Sequence, residues 1–241
     1  MSKDYIALRD EALGRLKTYI DSLDPAKGKK LAYWIKDYTN FLKAEDTFQP
    51  SKLITYKRGA IVKVHLGYRV GSEEGGLHYA IVMDRNNSVH SPTLTVIPLT
   101  SVKPGVDLNK LPPSKIPIGN EVFTLLSSNY NTELQSLKQH MKEIEELLKN
   151  VSSVEDTTII QNRLNEARQQ VDHCEKMKKE VSRMKQGSIA LVGQIVTVSK
   201  IRIYDPKYSK DALSKVRISD TTLDVLDAKI QELYGSKRKK Q

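Results

Sequence analysis

The 241-residue sequence predicts an α+β fold: a small antiparallel β-barrel with a C-terminal helix, preceded by an N-terminal helical hairpin and interrupted by an inserted antiparallel coiled coil. Three observations predict it. Apolar residues recur at helical spacing over the first 50 residues, and short β-branched runs bounded by Gly, Pro, Asn or Ser begin after Tyr56. A heptad-spaced stretch then separates these runs from two more beyond residue 187.

Residues 1–50 read as two helices, with Ile6, Leu13, Leu16 and Ile20 on one face and Leu31, Trp34, Ile35, Tyr38, Phe41 and Leu42 on the next. Asp24-Pro25 starts the second helix, Asp as N-cap and Pro at the first helical position. The aromatic stripe at this spacing is expected to be core.

Residues 51–130 supply the first barrel strands, Ala60–Val64, Tyr79–Met83 and Leu94–Ile97. Residues 187–235 supply the rest, Ser188–Val192 and Ile195–Val198, and then a helix capped by Ser219-Asp220 and stopped by Gly235. Between them, in residues 131–186, Leu134, Leu137, Met141, Ile144, Leu148 and Val151 form one seam. Ile160, Leu164, Ala167, Val171 and Cys174 form another, and a capping box at Ser152–Glu155 marks the turn between the two arms. Cys174 lies at an apolar seam position and reads as a buried thiol. Residues 236–241 form a basic tail, expected to be disordered.

With 39% hydrophobic and 28% charged residues, the chain has the material for a core and reads as a soluble protein. No apolar run approaches the roughly 20 residues that span a bilayer, and Met1–Asp10 lacks the apolar segment of a signal peptide, so a cytoplasmic location with no membrane partner is expected. The net charge of +10 is uneven. Nine basic residues face five acidic ones in 51–130 and eleven face six in 187–241, whereas 131–186 balances at ten of each. The excess thus falls on the barrel segments, which makes a polyanion, RNA or DNA, the first partner to consider.

Arg58-Gly59-Ala60-Ile61-Val62 opens a strand that leads to the loop Val70-Gly71-Ser72-Glu73-Glu74-Gly75-Gly76. The strand His78–Met83, Ser91-Pro92-Thr93, the strand Leu94–Pro98 and Leu99-Thr100-Ser101 follow in order. Downstream come Leu111-Pro112-Pro113 and the segment Gly193-Gln194-Ile195-Val196-Thr197-Val198-Ser199-Lys200-Ile201-Arg202. Over about residues 56–130 and 187–235 this order resembles the MazF/PemK family of toxin endoribonucleases, with their SH3-like barrel. The resemblance implies a metal-independent enzyme without a cofactor. It would act as a homodimer, cut single-stranded RNA to 2′,3′-cyclic phosphate and 5′-OH ends, and be restrained by an antitoxin protein.

Carried over by position, the family's catalytic arginine falls on His78, followed by Tyr79 where the family has proline, and its catalytic threonine falls on Thr100. Histidine moves protons near neutral pH but cannot clamp a phosphate in two places as arginine does. A strand-edge histidine without a catalytic role is the alternative for His78. An acidic residue that some members carry is replaced by Gly193. The resemblance lays Ser72, Glu73, Glu74 and Gln194 against RNA; Arg69 and Arg85, which flank this region, are candidate phosphate contacts by residue type. His65, His90, His140 and His173 show no metal-ligand spacing. Two other functions share these features: an RNA-binding module that has lost its catalytic step, and a gyrase-poison-like toxin acting by contact. The basic end, Ser236–Gln241, differs from the apolar, Trp-containing end of the latter.

Overall fold

A computed structural model describes residues 3–185 and 187–236; the predicted basic tail beyond Ser236 lies outside the described residues. The chain divides into two compact units, one of Met1–Phe48 with Leu66–Gly76 and one of Gln49–His65 with Leu77–Gln241.

In the first unit, α1 (Lys3–Ser22) and α2 (Pro25–Ala44) form the predicted hairpin. Asp24 caps α2 as expected, its carboxylate accepting from the Lys27 N–H at 3.0 Å. The aromatic stripe departs from the expectation of a core. Leu31 is buried, Trp34 and Phe41 are half-buried, and Tyr38, Leu42, Leu13 and Ile6 are exposed. Two 20-residue helices, with only each other and one loop within their unit, have too little surface to cover that stripe.

The second unit is a mixed assembly of antiparallel sheet and helices. Its strands are β1 (Ile61–His65), β2 (Leu77–Val82), β3 (Thr93–Ser101), β4 (Lys115–Gly119), β5 (Ser188–Leu191), β6 (Val196–Ser199) and β7 (Ile203–Asp205). They pair in the order β4-β5-β3-β2-β1-β7, with β6 also on β3. The sheet is therefore split in sequence, as predicted: β5 to β7 return only after α3 (Glu121–Lys149) and α4 (Val154–Arg183), which pack on each other as a hairpin. Its turn carries a capping box one residue later than expected. Ser153 is the N-cap and Asp156, not Glu155, reaches back to it.

The hairpin seam is only partly as predicted. Ile144, Ile160, Ala167 and Cys174 are buried, but Met141, Leu148, Val151 and Val171 are exposed. A polar layer in which His140 Nδ1 meets Gln170 at 2.8 Å and Gln170 donates to Ser136 at 3.0 Å interrupts the apolar line. At its base the hairpin merges with the sheet's core. Val122, Leu126, Met177 and Met184 join Ile61, Ile81, Ile97 and Leu99, while Leu223 and Leu226 of α5 (Asp220–Tyr234) close the cluster. Both feet are pinned by carboxylates. Glu121 accepts from the Ser219 N–H and the Thr222 hydroxyl at the start of α5, and Glu180 accepts from Lys63 and Tyr79 on the sheet. Among the described residues, no helix is long and apolar enough to cross a membrane.

Candidate functional site

β3 has three partners, and its first residues, Thr93 to Val96, pair with β6. It pairs with β2 as far as Ala80↔Pro98, then runs beside β5 in the register Leu99↔Ala190, Thr100↔Ile189 and Ser101↔Ser188. Beyond Pro98 its ladder with β2 ends, and His78 of β2 reaches across, its Nδ1 lying 3.1 Å from the Leu99 carbonyl oxygen. A carbonyl can only accept, so Nδ1 carries the hydrogen and the basic lone pair of the neutral imidazole resides on Nε2. Beside this contact opens a cavity of about 200 Å³ lined by His78, Thr100, Ser101, Arg183, Lys185 and Ser188 among others. The two residues expected to be catalytic are thus brought to one cavity.

Arg183 closes α4 and was not anticipated from the sequence. Its guanidinium stands 3.6 Å from Glu180 Oε1 with the side chain 65% exposed. Glu180 is fixed in turn. The Lys63 ammonium donates to both of its oxygens at 2.8 Å, and the Tyr79 hydroxyl donates to Oε2 at 2.6 Å. Burial pushes the Glu180 carboxyl up, but the hydrogen bonds from Lys63 and Tyr79 and the charges of Lys63 and Arg183 outweigh it and hold the group below its ordinary value. Burial first, and then the bond to Glu180, push the Tyr79 phenol up. Asp205, opposite Lys63 on β7, is pushed up to about 6, chiefly by burial, although it accepts from the Leu213 N–H at 2.9 Å. One sequence signal for this anchored end exists: Met177, Val181 and Met184 continue the seam beyond Cys174 at spacings of 3, 4 and 3.

The remaining expected site residues lie on other segments. Arg69, Ser72, Glu73 and Glu74 lie on the loop that clusters with the N-terminal helices. That loop is a tight turn in which the Val70 N–H donates to the Glu73 carboxylate at 3.0 Å. Gly75 passes so close that a Cβ would sit 2.8 Å from the Arg69 nitrogen and 2.9 Å from the Gly67 oxygen, so a side chain there would meet backbone. Gln194 follows β5 and is not among the residues lining the cavity. Its neighbour Gly193 explains why an acidic residue is missing. A Cβ there would lie 2.8 Å from the Ser114 Cβ, in a segment where the Gly193 N–H bonds the Ser114 carbonyl at 3.2 Å.

Arg85 belongs to the other end of β2, in an open groove of about 780 Å³ lined also by Lys57, Arg58, Asn87, Ser88 and Arg217. Arg58 donates to the Met83 carbonyl and to Asp227, and Arg217 donates to the Arg58 carbonyl at 2.8 Å and to Asp220 at 2.6 Å. Nearby, Lys200 is 1% exposed and donates to the Ser88 carbonyl at 2.9 Å, with burial lowering its proton affinity. Among the described residues, no group of three or more His, Cys, Asp or Glu could hold a metal ion.

Residues 57–167 match the family described as PemK-like, MazF-like toxin of type II toxin-antitoxin system. The match runs from β1 through α3 into α4, so it includes the whole first arm of the hairpin and stops before β5. No curated protein matches the chain.

Proposed function

We propose, for a chain whose residues 57–167 match the PemK-like, MazF-like toxins of type II toxin-antitoxin systems, that it cuts single-stranded RNA without a metal ion and leaves 2′,3′-cyclic phosphate and 5′-OH ends. The observation that carries this reading is the meeting of His78 and Thr100 at one cavity where β2 and β3 part. His78 Nε2 takes the proton of the ribose 2′-OH, and the 2′-oxygen attacks the adjacent phosphorus. The bond from phosphorus to the 5′-oxygen breaks, and the imidazolium returns the proton to that oxygen. The Leu99 carbonyl holds Nδ1–H throughout and keeps the ring oriented. The Thr100 hydroxyl donates to a non-bridging oxygen as charge builds in the transition state.

Arg69, Ser72, Glu73, Glu74, Arg85 and Gln194 are RNA contacts in this reading. An antitoxin protein and a second copy of the chain are the protein partners, and the helical insertion is a coiled coil that serves recognition. Incubating the purified protein with mixed RNA in EDTA and mapping the ends tests the chemistry. The expected result is undiminished cleavage with 5′-OH termini. Cleavage that stops with the chelator and returns with Mg²⁺ overturns the mechanism, and binding without any cleavage favours the RNA-binding module.

A further inference from the structure

We infer that Arg183, supplied by the last turn of the inserted hairpin, is a catalytic residue of the same cavity and binds the scissile phosphate. This rests on the nuclease reading above. A phosphodiester brings a negative charge, and its transition state concentrates charge on the non-bridging oxygens. His78 and Thr100 offer one ring nitrogen and one hydroxyl, neither of them a permanent cation. The cavity's lining contains two cations, Arg183 and Lys185.

They are not equivalent. Arg183 lies in the last turn of α4, and its guanidinium is oriented by Glu180 at 3.6 Å. Glu180 itself is locked by three hydrogen bonds, two from Lys63 and one from Tyr79, the strand neighbour of His78. The route from β2 to the guanidinium is therefore short, three hydrogen bonds and then a 3.6 Å ion pair, whereas Lys185 lies beyond the end of the helix. A guanidinium presents paired N–H groups that match two phosphate oxygens at once, which an ammonium cannot do. With most of its side chain exposed, Arg183 contributes little to the core and keeps its outer N–H groups available to a ligand.

The test combines cleavage of an RNA oligonucleotide with binding of the same sequence carrying 2′-O-methyl riboses, which cannot be cut. Arg183→Ala is expected to lower cleavage on the order of 10²-fold or more. It should also weaken binding of the uncut oligonucleotide and reduce the dependence of log affinity on log salt by about one, with an unchanged melting temperature. Arg183→Lys should recover binding more fully than cleavage. Adding His78→Arg to Arg183→Ala should restore part of the lost affinity, because an arginine on β2 reaches the same cavity; a purely structural role would not be rescued from another strand. Wild-type cleavage and binding by Arg183→Ala overturn the inference and leave the nuclease reading standing. Loss carried by Lys185→Ala instead also overturns it. If the parent binds RNA and cuts none, the nuclease reading falls, and an unchanged salt dependence in Arg183→Ala then overturns the inference as well.

Discussion

The two ends of the β1–β2 ladder carry similar side chains and use them differently. At one end, Arg58 and Arg217 are engaged with Met83, Asp227, Asp220 and the chain's own carbonyls, so their charges serve to hold the start of β1 against α5. At the other, roughly 20 Å away at about 3.3 Å per strand residue, His78 bonds the Leu99 carbonyl and Arg183 stands beside a carboxylate that two other groups already satisfy. Two of the cations lining the larger groove, Arg58 and Arg217, are thus structural, which sets them apart from Arg85 beside them. Counting cations around a cavity says little until each is assigned its partner.

Breaking the contrast at its functional end should give the largest effect. His78→Ala is expected to lower RNA cleavage by about 10³-fold, about 4 kcal/mol of barrier, with little change in thermal unfolding. Thr100→Ala is expected to lower it by about 10²-fold. Either variant cutting at the parental rate removes that residue from the site. At the structural end the readouts should exchange. Arg58→Ala loses two hydrogen bonds, one to a charged partner, and should lower stability by about 3 kcal/mol in urea unfolding, while cleavage per folded molecule stays near the parent. A stable variant with impaired cleavage would reverse the assignment of Arg58.

The smallest effect is a pH dependence. Asp205 binds its proton at about 6 in the folded chain against 3.8 for the ordinary group. The stability tied to that proton is fully present below about 3.8 and is lost as pH rises through about 6. Glu180 has the opposite sign, since its lowered value adds stability above the ordinary range that is lost on acidification. Asp205→Asn, which can still accept from Leu213, should therefore flatten the decline of the urea midpoint between pH 4 and 6. An unaltered slope in that window would assign the titration to another group.

Much of the fold was legible because it rests on local rules. Asp24-Pro25 and Ser219 announce helix starts, and the β-branched runs announce β1, β2, β5 and β6 within a residue or two, although β3 runs on to Ser101 and β4 and β7 have no such run. The meeting of His78 and Thr100 was legible only through the order of motifs in a known family. Four features escaped because they depend on which parts of the chain gather, or fail to gather, around them. Glu180 reads as an ordinary solvated residue of a charged helix until Lys63 and Tyr79 are seen to surround it. Arg183 acquires significance only from the place where α4 ends. The aromatic stripe of α2 has core spacing but lacks the mass to be covered within its unit. The sequence positions of the loop 66–76 gave no sign that it gathers with the N-terminal helices, since that grouping is a property of three separate segments.

The split of the sheet has a consequence for the order of synthesis. Arg58 waits 169 residues for Asp227, Lys63 waits 117 for Glu180, and β3 lacks β5 until the whole hairpin has been made. A chain growing from the ribosome at 5–20 residues per second therefore presents His78 and Thr100 early, but on a sheet without its closing strands and beside a cavity without Arg183. On the reading proposed above, the messenger being translated and its ribosome are spared an assembled nuclease until the final quarter of the protein has emerged. On that same reading, the interval would give an antitoxin synthesised alongside time to meet its target before that target could cut.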